Sequence, residues 1–286
     1  MTTNSQVWLI TGASSGFGRL VAEAVLENGG CAVATLRKPD ALADLASIYP
    51  PERLAVIQLD VSKPDEIRAA FAEARTRFGR IDVVFNNAGF GVLSEAEGTP
   101  EDLAREMFDT NFWGAANVSK EAVRFFREVN EPRGGRLLQT SSVVGIQGLS
   151  ALSYYCASKF ALEGFTEGLV AELRPEWQIK VTSIVLGPFH TQAGPNMKRQ
   201  PPHPAYVVAD RPLARLHLAT TGAAYPEEAS RLIYKLAQLE SPPLRLPLGP
   251  EAVETLRRKG QGLIDVAEEY ASWSDTVRPS HLQSVR

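Results

Sequence analysis

A chain of 286 residues, 44% hydrophobic and 22% charged, carries enough apolar material for one large core and does not require a second. Its net charge of -3 argues against electrostatic nucleic-acid binding. No run approaches the roughly 18 apolar residues of a membrane span, and the first five residues lack the basic flank and long apolar stretch of a leader, so a cytoplasmic protein is expected.

The first apolar run, 7–11, reads as a buried strand and leads directly into Thr11-Gly12-Ala13-Ser14-Ser15-Gly16-Phe17-Gly18 and a helix over 16–28. Strand, glycine turn and helix start together present backbone N–H groups to an anionic phosphate. Gly12 allows the sharp turn, Gly16 the close backbone approach and Gly18 the tight seating of helix on sheet, while Ser14 and Ser15 can donate hydroxyl hydrogen bonds. Further strands are expected at 32–36, 54–58, 83–86, 136–140, 181–186 and 244–247. Helices fill the gaps at 40–46, 64–78, 100–116, 118–128, 153–173, 226–239 and 250–270, with Ser62 as the cap before Lys63 and Pro64, and Gly79 as a stop signal. This alternation predicts an α/β fold: a doubly wound, Rossmann-type parallel sheet of about seven strands with helices on both faces, as a single domain over 1–286. Polar clusters follow the strands in the expected binding region: Asp60-Val61, Asn86-Asn87-Ala88-Gly89, Thr140-Ser141-Ser142 and Gly187-Pro188-Phe189-His190-Thr191. Cys31 and Cys156 read as packed thiols, and the four histidines form no ligand motif, so no metal is expected.

Tyr155-Cys156-Ala157-Ser158-Lys159 puts a phenol and an ammonium on one helix face. A tyrosine keeps its proton to about pH 10, so proton exchange near neutrality calls for a cation, and Lys159 at about 4 Å could depress the phenol by two to three units.

With these parts in this order, the chain resembles the short-chain dehydrogenase/reductase family from about Val7 to Thr191, and more weakly through Leu244 to Gly249. The resemblance implies that Asn111, Ser142, Tyr155 and Lys159 form a catalytic tetrad; the separation of thirteen positions between Ser142 and Tyr155 fits. It gives Asn111 the task of holding a water that connects Lys159 to solvent. It also places Asp60 and Val61 against an adenine, Asn87, Ala88 and Gly89 behind a ribose, Gly187, Pro188 and Phe189 in the cofactor loop, and Thr191 at the carboxamide of a nicotinamide. The implied reaction is hydride transfer between a nicotinamide cofactor and a ketone or aldehyde, with the alcohol as the other partner. The stretch Tyr155 to Gly164 is similar to that of 17β-hydroxysteroid and retinol dehydrogenases, but it shapes the catalytic helix rather than the substrate cavity.

After the second strand come Arg37 and Lys38 where an acid would read a ribose 2′-hydroxyl, so NADP(H) is favoured over NAD(H). Apolar residues near the mouth, Phe90, Val92, Val144, Leu149, Leu152 and Phe189, suggest a hydrophobic substrate. The chain departs from the family in Leu186-Gly187-Pro188, which lacks the usual first proline, and in a proline-rich segment, 192–225, read as a substrate lid. The stretch 272–286 reads as a frayed tail. A homodimer or homotetramer through the helices around 114–129 and 155–173 is expected from the resemblance. Two other functions stay open: a catalytically silent NADP(H)-binding sensor or scaffold, and an epimerase or dehydratase on a nucleotide-linked sugar.

Overall fold

The computed structural model describes residues 5–192, 194–207, 223–275 and 277. Seven parallel strands form the central sheet: β1 (Val7–Thr11), β2 (Cys31–Leu36), β3 (Leu54–Gln58), β4 (Val83–Asn86), β6 (Gly135–Ser142), β7 (Ile179–Leu186) and β9 (Arg245–Leu248), in the order β3-β2-β1-β4-β6-β7-β9. A further pair, β5 (Val92–Leu93) and β8 (Lys198–Arg199), forms its own short parallel ladder. The helices are α1 (Gly16–Glu27), α2 (Ala43–Ile48), α3 (Pro64–Phe78), α4 (Glu101–Phe108), α5 (Ala115–Glu128), α6 (Ser153–Glu172), α7 (Pro226–Leu236), α8 (Pro250–Glu269) and α9 (Ala271–Ser274).

Alternation along β1 divides the interior. Trp8 and Ile10 enter one apolar core with α1 and α7, whereas Val7 and Leu9 enter the other with α3 and α5. Both faces are therefore covered, which is why the strands read as continuous apolar runs. The chain runs outward from β1 to β3, then restarts at β4 and runs the other way, so a crevice opens between the ends of β1 and β4.

Several expected boundaries move. The helices expected at 100–116 and 118–128 are one rod, broken not near 117 but by a π-helical turn, Asp109–Gly114, that contains Asn111. There the rod meets the loop after β3 closely: a Cβ on Gly114 would lie 2.8 Å from Val61 Cγ2 and 2.9 Å from its carbonyl oxygen. Ser62 does not cap α3. Lys63 holds the cap position, and the Ser62 hydroxyl instead donates to Asp60 at 2.7 Å. Gly79 does end α3, in the left-handed conformation at φ 76°. Both cysteines are buried free thiols.

The first part of the expected lid is anchored. Lys198 N donates to Gly91 O at 3.0 Å and Gln200 N to Leu93 O at 3.1 Å, while Met197 packs on the cluster containing Leu93, Val144, Leu152 and Tyr155. Residues 208–222 of that segment lie outside the described residues. Of the expected tail, α9 covers its start and is exposed, and 276 and 278–286 lie outside the description.

Candidate active site

The crevice is assembled by backbone turns that small polar side chains lock together. Thr11, fully buried at the end of β1, accepts at Oγ1 from the N–H groups of Asn87 (2.9 Å) and Ala88 (3.0 Å). Asn87 returns its amide to the carbonyls of Thr11 (3.1 Å) and Gly12 (3.3 Å), and accepts from Thr140 Oγ1 at 3.3 Å. Lys159 Nζ then donates to the Thr140 carbonyl at 2.8 Å. One hydrogen-bonded path thus runs from the glycine turn across three strand ends to the lysine.

Beneath it, Asn86 is 4% exposed and its amide donates to Ala115 O at 2.8 Å and Gln139 Oε1 at 2.7 Å, with Ser119 Oγ at 3.3 Å. Thr11 donates to its oxygen at 3.4 Å. Sequence reading grouped Asn86 with an ordinary loop and gave Thr11 no role; only their places at the ends of two apolar strands hinted at either. Replacing Asn86 by Leu takes a hydrogen bond from four buried groups, so Asn86→Leu is expected to lower stability by about 3 kcal/mol in urea unfolding. A loss below about 1 kcal/mol would contradict this shared network.

The glycine turn fits an anionic dinucleotide. Gly12 takes φ +68°, and a Cβ on Gly18 would lie 2.2 Å from Gly12 O, so the first turn of α1 sits directly on the end of β1. No acidic residue occupies that first turn, and the side chain of Ser15, at the N-cap, makes no capping hydrogen bond. The first N–H groups of a helix have no intrahelical partner, which leaves those of Gly16, Phe17 and Gly18 facing the crevice entrance together with the Ser14 and Ser15 hydroxyls. From the other side, Phe189 meets Phe17 edge-on with centroids 5.1 Å apart, and Thr191 lies against Gly16 at the distance of an ordinary contact, 3.5 Å from a Cβ built there. Gly187 N is tied to Leu248 O at 2.9 Å, and Pro188 O accepts from Ala224 N at 3.1 Å, which steadies the loop despite its missing proline.

Arg37 and Lys38 are exposed just beyond β2. Burial raises the Asp60 carboxyl, but hydrogen bonds from the Ser62 hydroxyl and amide, with the charges of Lys63 and Arg37, bring it below the ordinary range. Arg37 and Asp60 therefore lie close enough for their charges to interact, and Val61 next to Asp60 is buried.

Asn111 is 1% exposed and acts as a clamp: Phe90 N donates to its oxygen at 3.0 Å, and its amide donates to Phe90 O at 2.8 Å and Ser158 Oγ at 3.2 Å. It fastens the loop after β4 to α6, with both amide hydrogens committed to that task. Ser142 ends β6, and its hydroxyl accepts only a long bond, 3.4 Å, from Val144 N. Tyr155 is half-buried against the cluster of Leu93, Val144, Ala151, Leu152 and Cys156, and its hydroxyl makes no hydrogen bond among the described residues.

The electrostatics correct one expectation. Tyr155 is not depressed but pushed up to about 12, by burial first and then by its neighbour Cys156. Lys159 is lowered to about 8 by burial, with Glu163 opposing. The apolar wall penalises both charged forms, and the Lys159 ammonium is turned to the Thr140 carbonyl. Of the apolar residues expected near the mouth, Val92, Val144 and Leu152 are buried, whereas Phe90, Leu149 and Phe189 are partly exposed.

A family model described as short chain dehydrogenase matches residues 6–202. The chain is similar to an uncharacterized oxidoreductase of Schizosaccharomyces pombe, 38% identical over 268 residues that cover 92% of this chain and 88% of that one. It is similar to a 3-ketodihydrosphingosine reductase of Bacteroides thetaiotaomicron, 30% identical over 270 residues and 93% and 96% of the two chains. Among solved structures, a short-chain dehydrogenase from Streptomyces avermitilis is similar with a TM-score of 0.86, 33% identity, and coverage of 96% and 100%.

Proposed function

We propose, from the premise that this chain belongs to the short chain dehydrogenase family of oxidoreductases, that it is an NADPH-dependent carbonyl reductase, or in reverse an alcohol dehydrogenase, acting on a hydrophobic ketone or aldehyde. The observation that carries the reading is Lys159. A buried ammonium, 5% exposed, is fixed on the Thr140 carbonyl near the end of β6, one turn beyond Tyr155 and connected by hydrogen bonds to the glycine turn.

The bound cofactor supplies the hydride. The residues of the chain do the rest. The glycine turn holds the pyrophosphate at the start of α1, and Arg37 with Lys38 reads a 2′-phosphate. Ser142 and Tyr155 donate hydrogen bonds to the carbonyl oxygen, where negative charge develops, and Tyr155 passes its proton there. Lys159 offers its ammonium to the ribose hydroxyls and to the phenol, and so lowers the cost of the phenolate that remains. Asn111 keeps the loop after β4 and the catalytic helix in register.

The substrate class rests on Phe90, Leu149 and Phe189 at the mouth and Met197 on the anchored part of the lid. The similarity to a 3-ketodihydrosphingosine reductase points the same way, toward a long apolar ketone. Exposed Trp113, Tyr154 and Phe160, on the π-helical turn and α6, support a homodimer or homotetramer through those faces. Among the described residues, no helix is long and apolar enough to cross a membrane.

The test is the oxidation of NADPH and NADH at 340 nm with long-chain ketones, steroids, retinoids and aromatic aldehydes. The parent enzyme is expected to prefer NADPH. Arg37→Asp removes a charge-assisted fork and adds repulsion, so it is expected to lower kcat/KM for NADPH by about 100-fold and to leave that for NADH within about threefold. An equal loss with both cofactors would contradict the role given to Arg37.

A further inference from the structure

Glu163 is a buried carboxylate that the proposed chemistry leaves unused. It is 5% exposed and lies on α6 one turn beyond Lys159, on the same helix face. Two strands fix it: Ser183 on β7 donates its hydroxyl to one oxygen, and Arg245 on β9 donates Nε to the other at 2.7 Å. Arg245 also reaches the exposed Glu167, at 2.6 Å, so it does not depend on Glu163 for a counter-charge. An ionised carboxylate is costly to bury, and neutral groups could satisfy a serine hydroxyl and an arginine that already has a partner.

The group that does need this charge is Lys159. Among the described residues, the groups that the structure places beside it are neutral: the Thr140 carbonyl on β6, the Asn111 amide from the π-helical turn, which meets the ammonium over Gly89, and the Ser141 hydroxyl, which shares with Lys159 the contact around Gly145. Along that face Glu163 is the acidic side chain nearest to it in the helix, and Glu167 lies a turn further on. We propose that Glu163 is a positioning residue for the reaction: anchored by Ser183 and Arg245, it keeps the buried Lys159 ammonium charged and so available to Tyr155 and to the cofactor. Burial draws Lys159 down to about 8, and Glu163 is the group that pulls it back up, in keeping with this geometry. The inference rests on the reading of Lys159 given above, and its test needs no turnover.

The full chain is labelled with [ε-13C]lysine, the Lys159 resonance is identified by its loss in Lys159→Met, and its shift is followed with pH. The parent midpoint is expected near 8. In Glu163→Gln it is expected to fall by about one pH unit or more, whereas Glu167→Gln, which removes an exposed carboxylate further along the helix, should move it by less than about 0.3. An unmoved midpoint in Glu163→Gln, or an equal shift in both variants, would overturn the proposal. Should Glu163→Gln fail to fold, Arg245→Met tests the same field with opposite sign: the midpoint is expected to rise, and no rise overturns it. A protein that shows the shift yet oxidises no NADPH would retain the pairing and lose the reductase reading.

Discussion

Tyr155→Phe is expected to lower kcat by about a thousandfold or more while leaving the affinity for NADPH within about threefold. The substitution removes one hydroxyl and keeps the ring, which packs on the cluster containing Leu93, Val144 and Leu152, so the wall of the crevice stays in place. That hydroxyl makes no hydrogen bond among the described residues, so its removal strands no partner and costs the fold little. The lost function is specific: the proton donor to the carbonyl oxygen, and one of two hydrogen bonds to the charge that develops there. Ser142 and the bound cofactor remain, which is why weak turnover is expected rather than none. Stopped-flow absorbance at 340 nm gives the rate, and fluorescence titration with NADPH gives the affinity. Near-normal turnover in Tyr155→Phe would remove Tyr155 from the chemistry; loss of cofactor binding would make it a structural residue.

Gly18→Ala is expected to be the most damaging change of a single atom in the chain. A Cβ there would lie 2.2 Å from the Gly12 carbonyl oxygen and 2.8 Å from both the Gly12 carbonyl carbon and Asn87 Nδ2. Two of these three contacts are backbone, so no rotamer relieves them. Helix α1 must move off the end of β1, and the path Thr11–Asn87–Thr140–Lys159 opens with it. A destabilisation of about 3 kcal/mol or more is expected by urea unfolding, with NADPH affinity lowered at least about 100-fold in whatever folds. Gly168→Ala on α6 is the control. Nothing lies within 4 Å of a Cβ there, and alanine in a helix interior is expected to stabilise by about 0.5–1 kcal/mol. A mild effect at Gly18 would mean that α1 can be reseated and that the turn is not the rigid cradle described.

Much of the fold was legible because both faces of the sheet are covered. Strands such as Val7–Thr11 and Val83–Asn86 are apolar up to a polar last residue, and glycine, asparagine and serine collect at the strand ends, where backbone geometry restricts the choice. What could not be read was anything fixed by long-range approach. The break at Asp109–Gly114 depends on Val61 from the loop after β3, and β5 with β8 depends on two short, distant segments meeting. The same limit applies to the site. The residues Gly12, Gly18, Ser142, Tyr155 and Lys159 stand out by type and spacing, whereas Asn111 as a clamp, Thr11 as an acceptor of two N–H groups and Glu163 as an anchored charge depend on which strand faces which helix. The tyrosine charge state was misread for a related reason: spacing along α6 reports that Lys159 is near, but not that burial acts on both groups or that the ammonium turns to Thr140.

The central claim is that the crevice moves a hydride from the nicotinamide to a carbonyl carbon, and isotope transfer tests it without intermediaries. The protein is incubated with NADPH deuterated at C4, once in each stereochemical position, and a long-chain ketone that supports absorbance loss at 340 nm; the alcohol is then analysed by mass spectrometry. The account predicts one deuterium on the new carbinol carbon from one of the two labelled cofactors and none from the other. Tight NADPH binding with no deuterated alcohol from any ketone in the panel would contradict it, and would leave a cofactor-binding protein that performs no reduction.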